Sequence, residues 1–320
     1  MYSIFRTFVV TCLTALFSVS AQAYDLPPLN LGYTSYLDGA PPAGPGWYFQ
    51  QYLQFYNNGK LKDGSGDDLM LPTPRGLESA ELDVTSTISQ LIYQSDKELL
   101  LGGKWGMNVM LPIAGFDLEP DDNLALSTNS TGLGDLLIGP FLQWDPVMGE
   151  KGPVFMHRVE FQMVFPTGKY DEDNAINPGS NFFSFNPYWA GTLFLNPKWS
   201  TSWRLHYLWN GKNEDPYTPF GVDDVRAGQA VHVNFASAYE VMPKRLRLGI
   251  NGYYLKQTTD TEFNGEDVSG RREQVLGLGP GLVYHLSQHT HFFFNTYFES
   301  NVKNRPKGSR LNLRIVHHFD

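Results

Sequence analysis

Titratable side chains recur at alternate positions of this 320-residue chain, on the same face as amides, tyrosines and glycines. They are Lys104, Asp135, Arg158, Glu160, Arg204, His206, Arg226, His232, Glu240, Arg247, Glu299 and Arg314. Charges of both signs on one face of extended chain can do two things. They can line a watery path, or they can pair across it and brace the wall. Neither is catalysis, which needs a nucleophile within hydrogen-bond reach of a base. His157 is the residue to weigh, because it falls on the opposite, apolar face beside Phe155 and Val159. An outward His/Ser pair would suit a hydrolase, but no matching serine shares that face. His157 is therefore expected near a membrane–water interface. The eight histidines show no metal-ligand spacing, and His317 and His318, being adjacent, point to opposite faces of a strand. The glycines of Gly132-Leu133-Gly134 and Gly277-Leu278-Gly279-Pro280-Gly281 precede no predicted helix, so they are not nucleotide loops. No metal and no cofactor is expected.

The element that must hold such residues is clearest at Trp199–Asn210. Trp199, Thr201, Trp203, Leu205, Tyr207 and Trp209 alternate with Ser200, Ser202, Arg204, His206, Leu208 and Asn210. A period of two makes this a strand with one apolar and one polar face. Indole rings toward both ends of the apolar face fit a strand that crosses a bilayer, since Trp prefers the two interfaces. The expected fold is all-β: a transmembrane antiparallel up-and-down barrel of about twelve strands, with long extracellular loops and short periplasmic turns.

The N-terminus agrees. Met1–Ala23 has a single Arg, an apolar run from Phe8 to Val19 and the small-x-small ending Ala21-Gln22-Ala23, which reads as a secretory signal peptide. The one cysteine, Cys12, lies within it, so no disulfide or thiol chemistry is expected of the mature chain. Residues 24–46 hold Pro27-Pro28, Pro41-Pro42 and Pro45, and are expected to be extended, either in the periplasm or folded into the lumen as a plug. Residues 47–320 would form the barrel. A net charge of −9 argues against a nucleic-acid partner. Aromatic content of 14% is enough to supply two interfacial girdles.

In order, strands are predicted over about 47–57, 80–93, 98–112, 132–144, 153–166, 181–195, 199–210, 225–241, 246–257, 272–284 and 291–301, and at the C-terminus. Pro187 interrupts the sixth. Trp47, Phe49, Leu53 and Phe55 are expected outward in the first, against Tyr48, Gln50, Tyr52, Gln54 and Tyr56. Leu82, Val84 and Ile88 are expected outward in the second, against Glu81, Asp83, Thr85, Thr87 and Ser89. Lys104, Gly106 and Asn108 face inward in the third. Residues 58–79, 113–131, 167–180, 211–224 and 258–271 are expected to be loops, and 94–97 a tight turn. Phe319 rather than the last residue is aromatic, which offsets by one the terminal signal that the barrel-assembly machinery reads. The acidic loops could meet lipopolysaccharide through divalent cations, or be simply solvated.

Several short pieces carry a resemblance: Pro45-Gly46-Trp47-Tyr48, Gly132-Leu133-Gly134-Asp135-Leu136, Phe165-Pro166-Thr167-Gly168-Lys169-Tyr170 and Tyr253-Tyr254-Leu255-Lys256-Gln257-Thr258-Thr259-Asp260. Together they resemble the family called "putative meta-pathway of phenol degradation". The resemblance implies an outer-membrane transporter for aromatic and other hydrophobic compounds, distantly akin to the long-chain fatty-acid channel; the barrel is expected to be a monomer. It carries over no catalytic residue. Mixed inward aromatics and amides, Tyr48, Tyr52, Tyr56, Gln50, Gln54, Asn108, Tyr253 and Tyr297, would line or flank a path suited to a small aromatic solute. Two other readings stay open: a structural envelope barrel with a plugged lumen, and a surface enzyme.

Overall fold

The computed structural model describes residues 25–27, 30–39 and 44–319; the predicted signal peptide, with Cys12, lies outside them. Twelve long antiparallel strands close on themselves. They are β1 (Gly46–Leu61), β2 (Glu81–Leu100), β3 (Gly103–Glu119), β4 (Leu136–Gln143), β5 (Gly152–Glu160), β6 (Tyr188–Asn196), β7 (Trp199–Asn210), β8 (Ala230–Met242), β9 (Leu246–Gln257), β10 (Gln274–His285), β11 (Thr290–Lys303) and β12 (Pro306–Phe319). Closure is made by β1 against β12, from Trp47 opposite Phe319 to Leu61 opposite Pro306. A closed sheet leaves no row of unpaired backbone groups, which is what lets strands stand in hydrocarbon.

Short turns collect at one end, hereafter the inner end, and long connections at the other, the outer end. At the inner end β2 runs on to a two-residue turn at Leu101-Gly102, both in the left-handed region, with φ of 52° and 76°. Paired left-handed residues match the twist of the flanking strands. The turn predicted at 94–97 is therefore displaced, and the strand register shifts there instead. Two of the predicted loops carry strands of their own. Met70–Thr73 pairs with Gly76–Ser79 as a hairpin, and Thr261–Phe263 pairs with both Glu266–Val268 and Val225–Arg226 in a small sheet beyond the barrel. Leu61, Leu71, Ala80, Leu82, Leu118 and Leu126 pack together where the first hairpin meets the wall.

The outer surface carries aromatic girdles. At the inner end Trp47 meets Tyr93 at 4.9 Å, and Tyr93 meets Trp105 at 5.3 Å between ring centres. Toward the outer end Phe165, Phe183 and Trp209 form a second row, at 5.6 and 6.4 Å. Two prolines thin the wall between them. Pro140 in β4 accepts from Phe161, and Pro187 just before β6 accepts from Tyr207, but neither can donate back. Beyond this row the register resumes, with Met163–Phe165 against β4 and Ser184–Phe185 against β7.

One strand has the opposite polarity to that expected. Leu82, Val84 and Ile88 of β2 face inward, and Thr85, Thr87 and Ser89 face lipid. The outward polar groups satisfy one another: Gln51 Nε2 donates to Thr87 Oγ1 (2.7 Å), Ser89 Oγ to Gln51 Oε1 (2.9 Å) and Thr87 Oγ1 to the Tyr52 carbonyl (2.8 Å). With their hydrogen bonds closed locally, these groups pay little desolvation penalty in the membrane.

Candidate functional site

Residues 25–27 and 30–39 run inside the barrel, from the outer loops at Asp25 to the inner end at Gly39. Their backbone groups meet side chains, because a lone segment has no ladder partner and its polar groups must still be satisfied. Asn234 Oδ1 accepts from Gly32 N–H (2.7 Å), and the Gly32 carbonyl accepts from Tyr297 Oη (2.9 Å) and Asn312 Nδ2 (2.5 Å). Ser202 Oγ accepts from Leu37 N–H (3.0 Å) and Thr192 Oγ1 from Gly39 N–H (2.9 Å). Gln143 Nε2 donates to the Gly39 carbonyl (3.0 Å). Tyr36 Oη reaches Asn251 Oδ1 at 2.9 Å. Two ion pairs clamp the ends. Arg204 grips Asp38 with Nε and Nη2 at 2.9 and 2.8 Å, and Arg271 grips Asp25 at 2.9 and 2.5 Å. Glu273, itself paired with Arg305, accepts the Leu26 N–H at 2.8 Å.

The residues singled out from sequence divide among several networks. Tyr56 and Tyr253 both donate to Glu299 at 2.5 Å, and Arg310 lies 3.7 Å from the same carboxylate. Glycine at 277 lets the Tyr253 ring lie flat against β10, where a Cβ would clash with it. A second network runs Gln90 to Asn108 (2.8 Å) to Glu160 (2.9 Å), with Tyr188 also donating to Glu160. Arg158 lies over the rings of Phe141 and Tyr188, at 5.1 and 5.8 Å. His206 and His232 stack at 3.9 Å, and His232 Nε2 contacts Asn186 Oδ1 at 3.0 Å. Tyr52 meets Gln50 (3.2 Å) and Arg314 (3.4 Å); Tyr48 bonds the Gly44 carbonyl and stacks on His318. At the inner rim Glu240 pairs with Arg247 (3.1 Å) and Lys104 with Asp145 (2.6 Å). Asp135 is fixed at the outer end by the N–H groups of Gly168 (2.9 Å) and Ser180 (2.8 Å).

Arg226 does not face the barrel interior. It belongs to the small outer sheet, where its Nε donates to the Asn210 carbonyl (3.1 Å) and its guanidinium covers the Trp209 ring at 5.3 Å. The expected eighth strand began too early: Gly228 packs against the Thr259 carbonyl, and the barrel strand starts only at Ala230. His157 stacks between Trp144 (4.5 Å) and Phe155 (5.2 Å) on the outer surface.

A cavity of about 270 Å³ opens in the outer half, between the interior segment and the wall of β1–β4. Its wall is apolar: Leu82, Val84, Ile88, Met110, Phe116 and Leu137. Rows of the sheet explain this. Tyr56, Val84 and Phe116 lie in register across β1–β3, as do Tyr52, Ile88 and Pro112. On the other side stand Tyr33, whose hydroxyl donates to Gln54 (3.0 Å), Asn30 and the Glu299–Arg310 pair. In the inner half Tyr36, Tyr48, Ile92, Phe141, Val283 and Phe293 pack against one another. Sequence reasoning missed the apolar wall. The signal available was that both β2 and the outer half of β3 carry apolar residues on the inward register.

An apolar exterior closed into a ring can be solvated only by lipid, and single-chain antiparallel barrels of this size are the outer-membrane form. Comparison with known proteins agrees on the fold. An outer-membrane channel from Pseudomonas putida F1 superposes with a TM-score of 0.69 at 18% identity, covering 91% of this chain and 100% of that one. Looser matches are the translocator domain of the autotransporter NalP from Neisseria meningitidis (TM-score 0.48, 8% identity, 86% and 89% covered) and the toluene transporter TbuX from Ralstonia pickettii (0.44, 8%, 92% and 98%). No curated protein sequence matches. The model of one family, described as "Putative MetA-pathway of phenol degradation", matches residues 59–315, and the chain belongs to that family.

Proposed function

We propose that this barrel carries small hydrophobic or aromatic compounds passively across the outer membrane. The observation that supports the reading is the apolar cavity at the outer end. A lumen for hydrated ions would be polar at its mouth, whereas this one offers Leu82, Val84, Ile88, Met110 and Phe116 to whatever enters. Tyr33, Gln54 and Tyr56, among the polar groups of the lining, supply contacts that orient a bound solute. The chain acts as a monomer, meeting lipid and lipopolysaccharide from the outside and reaching the membrane through the barrel-assembly machinery. No chemical step is assigned to any residue.

A second reading, a structural barrel with a sealed lumen, draws on the density of bonds between residues 30–39 and the wall. One experiment separates the two. The purified barrel is reconstituted in liposomes, intact and lacking residues 24–44, and swelling, single-channel conductance and entry of toluene and phenol are followed. Entry of the aromatic solutes through the intact barrel, with poor passage of sugars, supports transport. A barrel silent to all of them until the segment is removed favours the sealed form. In cells, loss of the protein should slow uptake of some members of a panel of aromatics and fatty acids.

A further inference from the structure

We infer that the outer cavity admits only the uncharged form of its solute, so that an ionisable phenol or aromatic acid enters protonated. The inference rests on the transport reading for the cavity's role, but its evidence is the charge arrangement around the cavity. Five charged side chains line it: Asp25, Asp135, Glu299, Arg305 and Arg310. Every one is already occupied. Asp25 is gripped by Arg271 and accepts from Thr261 Oγ1 at 2.9 Å. Arg305 is paired with the buried Glu273. Glu299 holds two tyrosine hydroxyls and the Gly308 N–H (3.0 Å), with Arg310 beside it. Arg310 donates to the Leu31 carbonyl at 2.8 Å and lies between the rings of Tyr56 and Tyr253, at 5.1 and 5.2 Å. Asp135 is spent on two backbone N–H groups and Ser180.

These groups amount to three ion pairs and one carboxylate held by hydrogen bonds, a net charge of one negative. Among the described residues no lining cation lacks a carboxylate partner to balance its charge, and the facing wall of β2 and β3 is mainly hydrocarbon. An anion entering here sheds water and finds no counter-charge, while the neutral form sheds much less. Arg310 comes nearest to a spare cation, since its Nε has no hydrogen-bond partner among the described residues, but that atom is buried and the guanidinium charge is balanced by Glu299 3.7 Å away.

The test is equilibrium binding to the full-length barrel in detergent, read by calorimetry against micelle blanks. Methyl benzoate and benzoate are compared at neutral pH. Benzoate is expected to bind more weakly by about tenfold or more, as burial of an unpaired ion requires. Two phenols whose own pKa values differ by roughly two units are then titrated across pH. Affinity should fall about tenfold per pH unit above the solute's pKa, with the midpoint moving with the solute. Benzoate binding as tightly as its ester, or one midpoint common to both phenols, would overturn the inference. Glu299→Gln supplies a check in the opposite direction. It frees the Arg310 charge, so the preference for the ester over benzoate should shrink. If that variant keeps the folded, heat-modifiable mobility and the full preference, the pairing argument is wrong. Flux in liposomes is scored separately. A barrel that binds only the ester and passes nothing keeps this inference and loses transport, and one that passes ester and benzoate equally does the reverse.

Discussion

Arg204 and Asp38 form a buried ion pair between the wall and the interior segment. Both are about 7% exposed, the two bonds are of fork geometry, and the guanidinium lies over the Tyr188 ring at 4.2 Å. Removing one partner leaves the other charge buried. Arg204→Ala is expected to cost about 3–5 kcal/mol, as for other broken buried pairs, read as a lower urea midpoint in detergent. Adding Asp38→Asn should recover part of that loss, since the stranded charge is then gone. Tyr253→Phe is a gentler change. It removes one of the donors to Glu299 and should cost about 1.5–3 kcal/mol, the usual worth of a bond to a charged group. At this scale the sequence was informative about direction only. Period two places Tyr253, Tyr297, Glu160 and Arg204 on the inner face, and all four are buried there. It could not say what they touch, because their partners lie far off in the chain: Glu299 for Tyr253, Asn108 for Glu160, and for Tyr297 and Arg204 the interior segment, which has no period of its own.

Among the elements, the proline row makes a quantitative claim. Pro187 lacks the N–H that would reach the Tyr207 carbonyl, so Pro187→Ala should restore a ladder bond and stabilise the barrel by about 1 kcal/mol. Slower amide exchange at Trp209 and Leu205 beside it would accompany the gain; no change in either would mean the wall is already closed at that height. The outer loops make a claim about pH. The hydrogen bond from Arg272 holds the Asp260 carboxyl below its usual range, and Lys62 does the same for Asp68. Stability gained from a depressed carboxylate is complete above the unfolded pKa and lost as pH falls through the folded one. These loops should therefore keep the same protease resistance from about pH 6 to about pH 8, and lose it only below the ordinary carboxylate range near pH 4. Most strands were legible because an interior of charges and an exterior of rings produce a clean alternation. β2 was not. Its apolar residues face the cavity and its hydroxyls face lipid, so the alternation is present with its sense reversed, and nothing in a single strand tells which side is in.

Taken whole, the molecule is a hollow wall with an internal filler that touches it on all sides. The long-short rhythm of connections pointed to which end is which, and proline content led to the expectation of chain without a ladder over residues 24–46, although Gly46 already pairs with Gln94 in β1. Neither told that Asp25 would reach up to the outer loops. If the filler only occupies space, a barrel lacking residues 24–44 should conduct ions well above the intact one while keeping its heat-modifiable mobility. If it also braces the wall through Arg204, Arg271 and Asn234, the same deletion should lower the thermal midpoint.

The segment is tied to β1 at Gly46, at the inner end, and its partners are spread over strands from β1 to β12. Those partners do not exist as a set until the last strand has met the first. The full set of contacts can therefore form only once the circumference is complete, contents after cylinder. The tether from Gly39 to Gly46 is only a few residues long, so that last step is a unimolecular docking at high effective concentration.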